Sequence, residues 1–321
     1  MKSSSWDSSI GDLPAAFLDR LPDILQPEDL DIYAEHVAAE RPLTIRITDA
    51  SLELSEVEAT FASRGMTCHR SDWMPESLRI TPPDRSLLKE IDGVLGNRIF
   101  RQSLSSMAAV ESMGIHPGHD VLDCCAAPGG KSSLIRLRQG SDGILVANDL
   151  SRNRVSRMRR LFELINVTGV DTQVHDAKTL GSVFPTCFDR VLLDAPCSGE
   201  GRFNLNEPAT WTDWNPGKIR RLAKLQVSLL KSAIQTLRPG GRLIYATCTL
   251  APEENECVLQ KVLTRHSSMV RIESISTPFE GRRQALSGWN EVSFPDWMSN
   301  AVRIVPENGM TPFFLAAIRR L

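Results

Sequence analysis

From about Gly96 onward the chain alternates short apolar runs with amphipathic helical stretches, and that rhythm leaves few folds open. "HDVLDC", "GILVAND", "TQVHD", "FDRVLLDAP" and "RLIYATC" read as strands. Between them, Lys131–Arg138 opens a helix, and Ser151–Asn166 sets Val155, Met158, Phe162 and Ile165 on one helical face. A long helix over Lys218–Leu237 is expected to stop at "RPGG", and another covers Glu253–Arg265. The closing "AVRIVPE" and "TPFFLAAIRR" look like two strands at the sheet's end. Strands alternating with helices imply an α/β, doubly wound, mostly parallel sheet covered on both faces. Ligands of such sheets sit outside the carboxyl ends of the strands.

The segment before Gly96 is different. A helix around Pro27–Ala39, the alternating "LTIRIT", a helix near Leu54–Arg64 and a short strand at "LRIT" read as a small α+β module. Two domains are therefore expected, 1–95 and 96–321.

At the first strand of the regular region stands "VLDCCAAPGGKSS", Val121 to Ser133. A phosphate-binding loop of the G-x-x-x-x-G-K-[ST] type needs glycine where Cys125 stands, and G-x-G-x-x-G is absent too. The loop thus has the shape of a nucleotide turn without its phosphate grip, and a plain strand–helix junction would look the same. The next strands decide the matter. "ILVAND" ends in Asp149, placed to accept hydrogen bonds from two ribose hydroxyls, while Asp176 and Asp194 end the third and fourth strands. Any one aspartate could be a helix cap. Three on one edge beside a small-residue loop suit a nucleoside with a positive centre, and S-adenosylmethionine fits: ribose to Asp149, adenine near Asp176, methionine end near the loop and Asp194.

Seven cysteines form no CxxC pair and six histidines no cluster with them, which argues against a structural metal and for a reduced, intracellular protein. Two of the thiols stand at the ligand edge, Cys197 in "DAPCSGEG" and Cys248 in "YATCTLAPEENE". Either alone could be buried filler. Opposite a methyl donor they suit cytosine chemistry. Cytosine C5 is a poor nucleophile until a thiolate adds to C6, and a thiol with a pKa of about 8.5 needs local help to ionise at neutral pH. Asp194 could share a proton with the base's N3, and the second thiol could help the adduct eliminate.

Taken in order, "DCCAAPGGKSS", "ANDLSRNRVSRM", "LLDAPCSGEG" and "YATCTLAPEENE" resemble the Nop2/Sun family of RNA cytosine-5 methyltransferases, most of all its bacterial members that modify small-subunit ribosomal RNA. "RQSLSSMAAV" is similar to a family segment leading into the cofactor strand, so the likeness covers about 97–320. The resemblance implies a class I S-adenosylmethionine-dependent methyltransferase fold. It also implies Cys248 as nucleophile, Cys197 as the residue assisting release, and Lys131 near the reaction centre. Cys125, Ala126, Ala127, Pro128, Gly129, Gly130, Lys131, Asp149, Asp176 and Asp194 are implied to line the cofactor site. Cys124 replaces an aliphatic residue of many relatives, and Thr311-Pro312 stands where glycine is common. The chain is also expected to lack the C-terminal RNA-binding domain of larger relatives, a gap that a protein partner could fill.

The remaining features bear on RNA. With a net charge of −2, RNA contact must come from local patches. Arg152, Arg154, Arg157, Arg159 and Arg160 crowd one helix, and Lys218, Arg220, Arg221, Lys224 and Lys231 another. Such runs are often solvated faces, and they also suit phosphate contact. Trp211 and Trp214 are packing anchors or stacking platforms, with packing favoured. No run reaches the roughly 18 apolar residues of a membrane span, and the start makes a poor signal peptide, so a cytoplasmic location is expected. The expectation is methylation of ribosomal RNA at cytosine C5. The rivals are transfer RNA or DNA as substrate, and a non-catalytic RNA-binding assembly factor on the same fold.

Overall fold

The computed structural model describes residues 6, 9–41, 43–49, 51–84 and 86–321; residues 1–5, 7, 8, 42, 50 and 85, which take in most of the serine-rich start, lie outside them. Two four-residue helical turns, Ala15–Leu18 and Leu21–Ile24, lead into α1 (Pro27–Ala38). Pro27 in its first turn needs no hydrogen bond from its nitrogen, and Glu28 and Asp29 favour the positive end of the helix dipole.

A first antiparallel sheet follows in the order β2–β3–β1–β4, with β1 (Leu43–Ile47), β2 (Thr67–Arg70), β3 (Ser77–Thr81) and β4 (Ile99–Arg101). Alternation sorts β1. Leu43, Ile45 and Ile47 pack with Val57 and Phe61 of α2 (Leu54–Ala62) and with Ile91 and Leu95 of α3 (Leu88–Leu95). Arg46 is buried as well, with Nε donating to Gln102 Oε1 at 3.0 Å and Nη2 to Ser133 Oγ at 2.6 Å. Burial and the nearby Arg138 charge lower its pKa to about 10, so the sheet meets its neighbour through a guanidinium still charged at neutral pH. β4 pairs with β1 through Ile45↔Arg101, so the first sheet draws a strand from beyond residue 96.

α4 (Leu104–Glu111), capped by the Ser103 hydroxyl, precedes the second sheet. Its parallel centre runs β7–β6–β5–β8–β9, formed by β5 (Val121–Asp123), β6 (Leu145–Asn148), β7 (Val170–Gln173), β8 (Phe188–Asp194) and β9 (Leu237–Thr247). Antiparallel strands extend it past β9: β15 (Phe313–Arg320), β14 (Val302–Ile304) and β11 (Arg282–Gln284), with β10 (Val270–Glu273) also on β15 and β12 (Gly288–Trp289) and β13 (Val292–Ser293) forming a hairpin. α4 and α5 (Gly130–Gln139) supply one apolar face through Leu104, Met107, Leu134 and Ile135. α7 (Pro216–Thr236) and α8 (Glu256–Leu263) supply the other through Leu230, Ile234, Val258 and Leu259. α6 (Arg152–Leu164) buries Val155, Met158 and Phe162 as its spacing predicts, and the adjoining Ile165 is buried too. Strand order departs from β5 in both directions, so the crevice lies at the carboxyl ends of β5 and β8.

Two boundaries differ from expectation. α7 ends at Thr236 and passes directly into β9, which carries Pro239, Gly240 and Gly241 in its first half, beside a register shift between Phe188 and Arg190. α8 starts at Glu256 because Asn255 spends its side chain on the preceding loop, accepting from Thr247 Oγ1 at 2.5 Å and donating to Thr249 O at 2.9 Å. No helix among the described residues is long and apolar enough to cross a membrane.

Candidate active site

The loop from Cys124 to Gly130 leaves β5 and starts α5, and its small residues are set by what lies beneath. Ala126 and Ala127 rest on Val155, Met158 and Phe162 of α6. Gly129 has φ +111°, and a Cβ there would stand 2.8 Å from Met158 Cγ and 2.9 Å from the Phe162 ring. A Cβ on Gly130 would meet the Phe100 ring of β4 at 2.7 Å. Asn148 ties this loop to the next, donating to Cys124 O at 2.9 Å and accepting from His175 N at 2.8 Å.

Above the loop runs an acidic edge with Lys131 among its carboxylates. Lys131 Nζ lies 2.6 Å from Asp194 Oδ2, the two side chains 17% and 27% exposed. Burial works against the lysine's charge, but Asp194, with smaller help from Asp123, lifts its pKa above the usual value. Asp123, which sequence reasoning passed over, is fully buried, and burial raises its pKa to about 7 against the lowering from Ser132 and Lys131. Ser132 Oγ donates to its Oδ2 at 2.7 Å, while Oδ1 has no hydrogen-bond partner among the described residues. That open acceptor fits a ligand with a positive centre. Asp149, at the end of β6 and 2% exposed, accepts from Ser151 N at 3.0 Å and pairs with Arg154 at 3.0 Å. The helix cap beside it is Ser151, which frees Asp149 from that role. Arg154 also donates to Ala127 O at 2.6 Å, bridging the two walls of the crevice. Asp176 behaves differently: β7 stops at Gln173, and Asp176 caps a short turn by accepting from Lys178 N at 3.0 Å.

Cys197 and Cys248 stand at the ends of β8 and β9 with their sulfurs 3.2 Å apart. Their titration directions are two faces of one hydrogen bond. Either sulfur can donate; the shared bond lowers the Cys248 pKa against burial and raises that of Cys197. Arg202 and Lys131 add a smaller lowering at Cys248. Buried carboxylates lace the two loops. Glu254 accepts from Ser198 N at 3.0 Å and from Gln226 Nε2 at 2.8 Å. Glu200 accepts from Thr249 Oγ1 at 2.9 Å, Leu250 N at 3.1 Å and Trp214 Nε1 at 3.0 Å. Gly201 N closes on Cys248 O at 3.0 Å, and a Cβ on Gly201 would collide with Pro312 O at 2.2 Å.

The N-terminal helices brace this arrangement. Tyr33 donates to Glu200 O at 2.9 Å, and Phe17 meets Trp214 edge-on at 5.5 Å between ring centres. Trp214 is buried, and Trp211 donates to Asn204 O at 3.2 Å, so both tryptophans serve packing. On α6, Arg159 reaches Thr172 and Arg154 reaches Asp149, whereas the exposed Arg152, Arg157 and Arg160 have no side-chain partner among the described residues.

The strand order, the small-residue loop at the switch point and the carboxylates at the strand ends define a class I S-adenosylmethionine-dependent methyltransferase fold. The solved structure of a methyltransferase homolog protein from Pyrococcus horikoshii shares it at a TM-score of 0.80 and 28% identity, covering 99% of this chain and 100% of that one. Within this class the chain belongs to the family described as 16S rRNA methyltransferase RsmB/F, whose profile matches residues 111–319. A Vibrio vulnificus protein named ribosomal RNA small subunit methyltransferase F is 31% identical over 316 residues, 96% of this chain and 64% of that protein. Its namesake from Aeromonas salmonicida is 32% identical over 280 residues, 85% of this chain and 58% of that protein. The chain therefore spans less than two thirds of the length of these curated relatives.

Proposed function

We propose that the chain transfers a methyl group to C5 of a cytosine in RNA, ribosomal RNA before transfer RNA, with Cys248 as the nucleophile. The observation that carries this reading is the pair of thiols at the ends of β8 and β9, their sulfurs 3.2 Å apart, in a site that also holds the Lys131–Asp194 pair, with the Cys248 pKa moved down by the shared hydrogen bond. S-adenosylmethionine, when bound, supplies an electrophilic methyl group on a sulfonium. Asp149, Asp123 and the loop from Cys125 to Lys131 hold it, with Asp176 beside the adenine. Cys248 adds to C6, and the electron pair displaced from the ring makes C5 a carbon nucleophile. Lys131 and Asp194 share a proton with N3 as charge develops there. After methylation the C5 proton leaves, the C6–S bond breaks and Cys248 returns as thiolate. Cys197 suits that second half: once Cys248 is a thioether, no neighbouring thiolate holds the Cys197 pKa up, and its thiol, having passed its proton to solvent, takes the C5 proton, so that one proton is released overall.

RNA enters across the free arginines of α6 and the module over residues 1–95, with a protein partner supplying further RNA-binding surface. A cytoplasmic location accords with action on ribosomal RNA.

The test is a denaturing gel of each cysteine variant with labelled RNA and S-adenosylmethionine. Cys197→Ala accumulates a protein–RNA band that survives boiling in detergent, while Cys248→Ala and the double variant give none and do not methylate. A band from Cys248→Ala alone reverses the two roles. Arms with transfer RNA and matched DNA separate the substrates, and absence of methylation by the unaltered protein on all of them removes the reading.

A further inference from the structure

Each thiol loop lends a carboxylate to the other. Glu200, three residues beyond Cys197, binds Thr249 and Leu250, which directly follow Cys248. Glu254, six residues beyond Cys248, binds the amide of Ser198, which directly follows Cys197. The exchange is closed by the Ser198 and Thr249 hydroxyls, 2.7 Å apart. With Thr249 donating to Glu200, Ser198 donates to Thr249, so one continuous chain of hydrogen bonds links the residues after both cysteines. The chain is anchored outside the loops. Trp214 holds Glu200, Gln226 holds Glu254, and Tyr245 donates to Glu254 O at 2.6 Å. Both carboxylates are fully buried, and neither has an ion pair among the described residues. Two such groups destabilise the fold unless their bonding is in place, and all of their side-chain bonds go to the loops or to residues bracing them.

We propose that Glu200 and Glu254 are positioning residues whose reciprocal exchange sets the distance between the Cys197 and Cys248 sulfurs, and through it the reactivity of Cys248. The inference deepens the assignment of Cys248 as nucleophile and rests on it. A hydrogen bond between a thiol and a thiolate strengthens as the sulfurs approach and align, and neither loop alone fixes where its sulfur stands relative to the other.

The test reads the thiol and needs no RNA. Alkylation of Cys248 by iodoacetamide, followed by mass spectrometry of its peptide across pH, reports its thiolate fraction. Glu200→Ala and Glu254→Ala each slow alkylation at pH 7 by roughly tenfold and move its midpoint about one pH unit higher. Glu254→Gln, which keeps an acceptor for Ser198, restores most of the rate. S-adenosylmethionine affinity, measured alongside, stays within about threefold and certifies the fold. Should the alanine variants lose that affinity, Thr249→Val decides: it cuts the chain at one hydroxyl and is expected to show the same upward movement. An unchanged alkylation profile in variants that bind S-adenosylmethionine normally overturns the proposal, whatever the outcome of the RNA gel. Absence of methylation on any RNA, with the alkylation shift present, removes the functional reading and leaves the positioning intact.

Discussion

Around Ala126–Gly130 the backbone is pinned from below by hydrocarbon, with the Met158, Phe162 and Phe100 side chains filling the space a Cβ on Gly129 or Gly130 would need. Around Cys197 and Cys248 the backbone is held instead by Glu200, Glu254, Asn255 and the Ser198 and Thr249 hydroxyls. The two means of support suit two tasks. Apolar packing is non-directional, so it brings the loop close to a ligand without dictating angles to a fraction of an ångström. Hydrogen bonds to buried carboxylates are directional and, in a dry setting, strong, and they hold reacting atoms in line. Cofactor affinity and thiol reactivity should therefore fail independently.

The largest expected separation comes from Asp149→Ala. Removing a buried, charge-assisted acceptor typically costs about 1.5–3 kcal/mol, roughly ten- to a hundredfold in affinity. Calorimetry should show S-adenosylmethionine binding weakened by that factor in a folded protein, with Cys248 alkylation unchanged. A matching fall in alkylation would join the two halves and break the comparison. Unchanged affinity would remove Asp149 from the cofactor site.

The carboxylate lacing should also leave a mark on stability against pH that apolar packing cannot. Burial raises the Glu254 pKa from the ordinary carboxylate range to about 7. A raised folded-state value means the native state holds a proton that the unfolded chain has released, so this group's contribution is full below about pH 4.5 and is lost as pH rises to about 7. Glu254→Gln mimics the protonated side chain at every pH. Urea melts should give similar stability for the two proteins near pH 4.5, with the variant gaining on the order of 1–3 kcal/mol relative to the parent by pH 8. A parent that gains on the variant as pH rises would show that Glu254 is ionised at little cost.

Much of the sheet and of the small-residue loop is legible in the sequence, and little of the lacing is. Strands β5, β6, β8 and β9 announce themselves through apolar runs that end at Asp, Asn or Thr beside a turn. Asp149 and Asp194 stand at the ends of β6 and β8 as the pattern predicts, where such sheets bind ligands. The pattern puts Asp176 at a strand end, but β7 stops at Gln173 and Asn148 captures the His175 amide, a contact across two loops that no local pattern encodes. Arg46 sits at a polar position of "LTIRIT" that alternation assigns to solvent, and it is buried only because α5 covers that face. Glu200 and Glu254 were missed for the same reason. Glutamate is almost never fully buried, so nothing in "CSGEG" or "PEENE" signals that each is bonded to the other's loop.

The smallest expected effect lies on α6, whose inner face carries the Ala126–Gly130 loop and whose outer face is arginine-rich. Arg154 and Arg159 are engaged by Asp149 and by Thr172, so replacing them would confound RNA contact with loop support. Arg157 and Arg160 are free of both. If they touch phosphates, each contact releases about one counterion, and the slope of log affinity against log salt falls by at most about one per residue. Arg157→Gln with Arg160→Gln should therefore flatten the slope by one to about two, weaken target and non-target RNA alike, and leave S-adenosylmethionine affinity and Cys248 alkylation where they were. Phosphate contacts position an RNA without reading its sequence, so a loss confined to the target RNA would point to base contact instead. A slope that stays the same would leave Arg157 and Arg160 on a solvated surface, with α6 serving the site through Arg154 and the hydrocarbon it sets beneath Gly129.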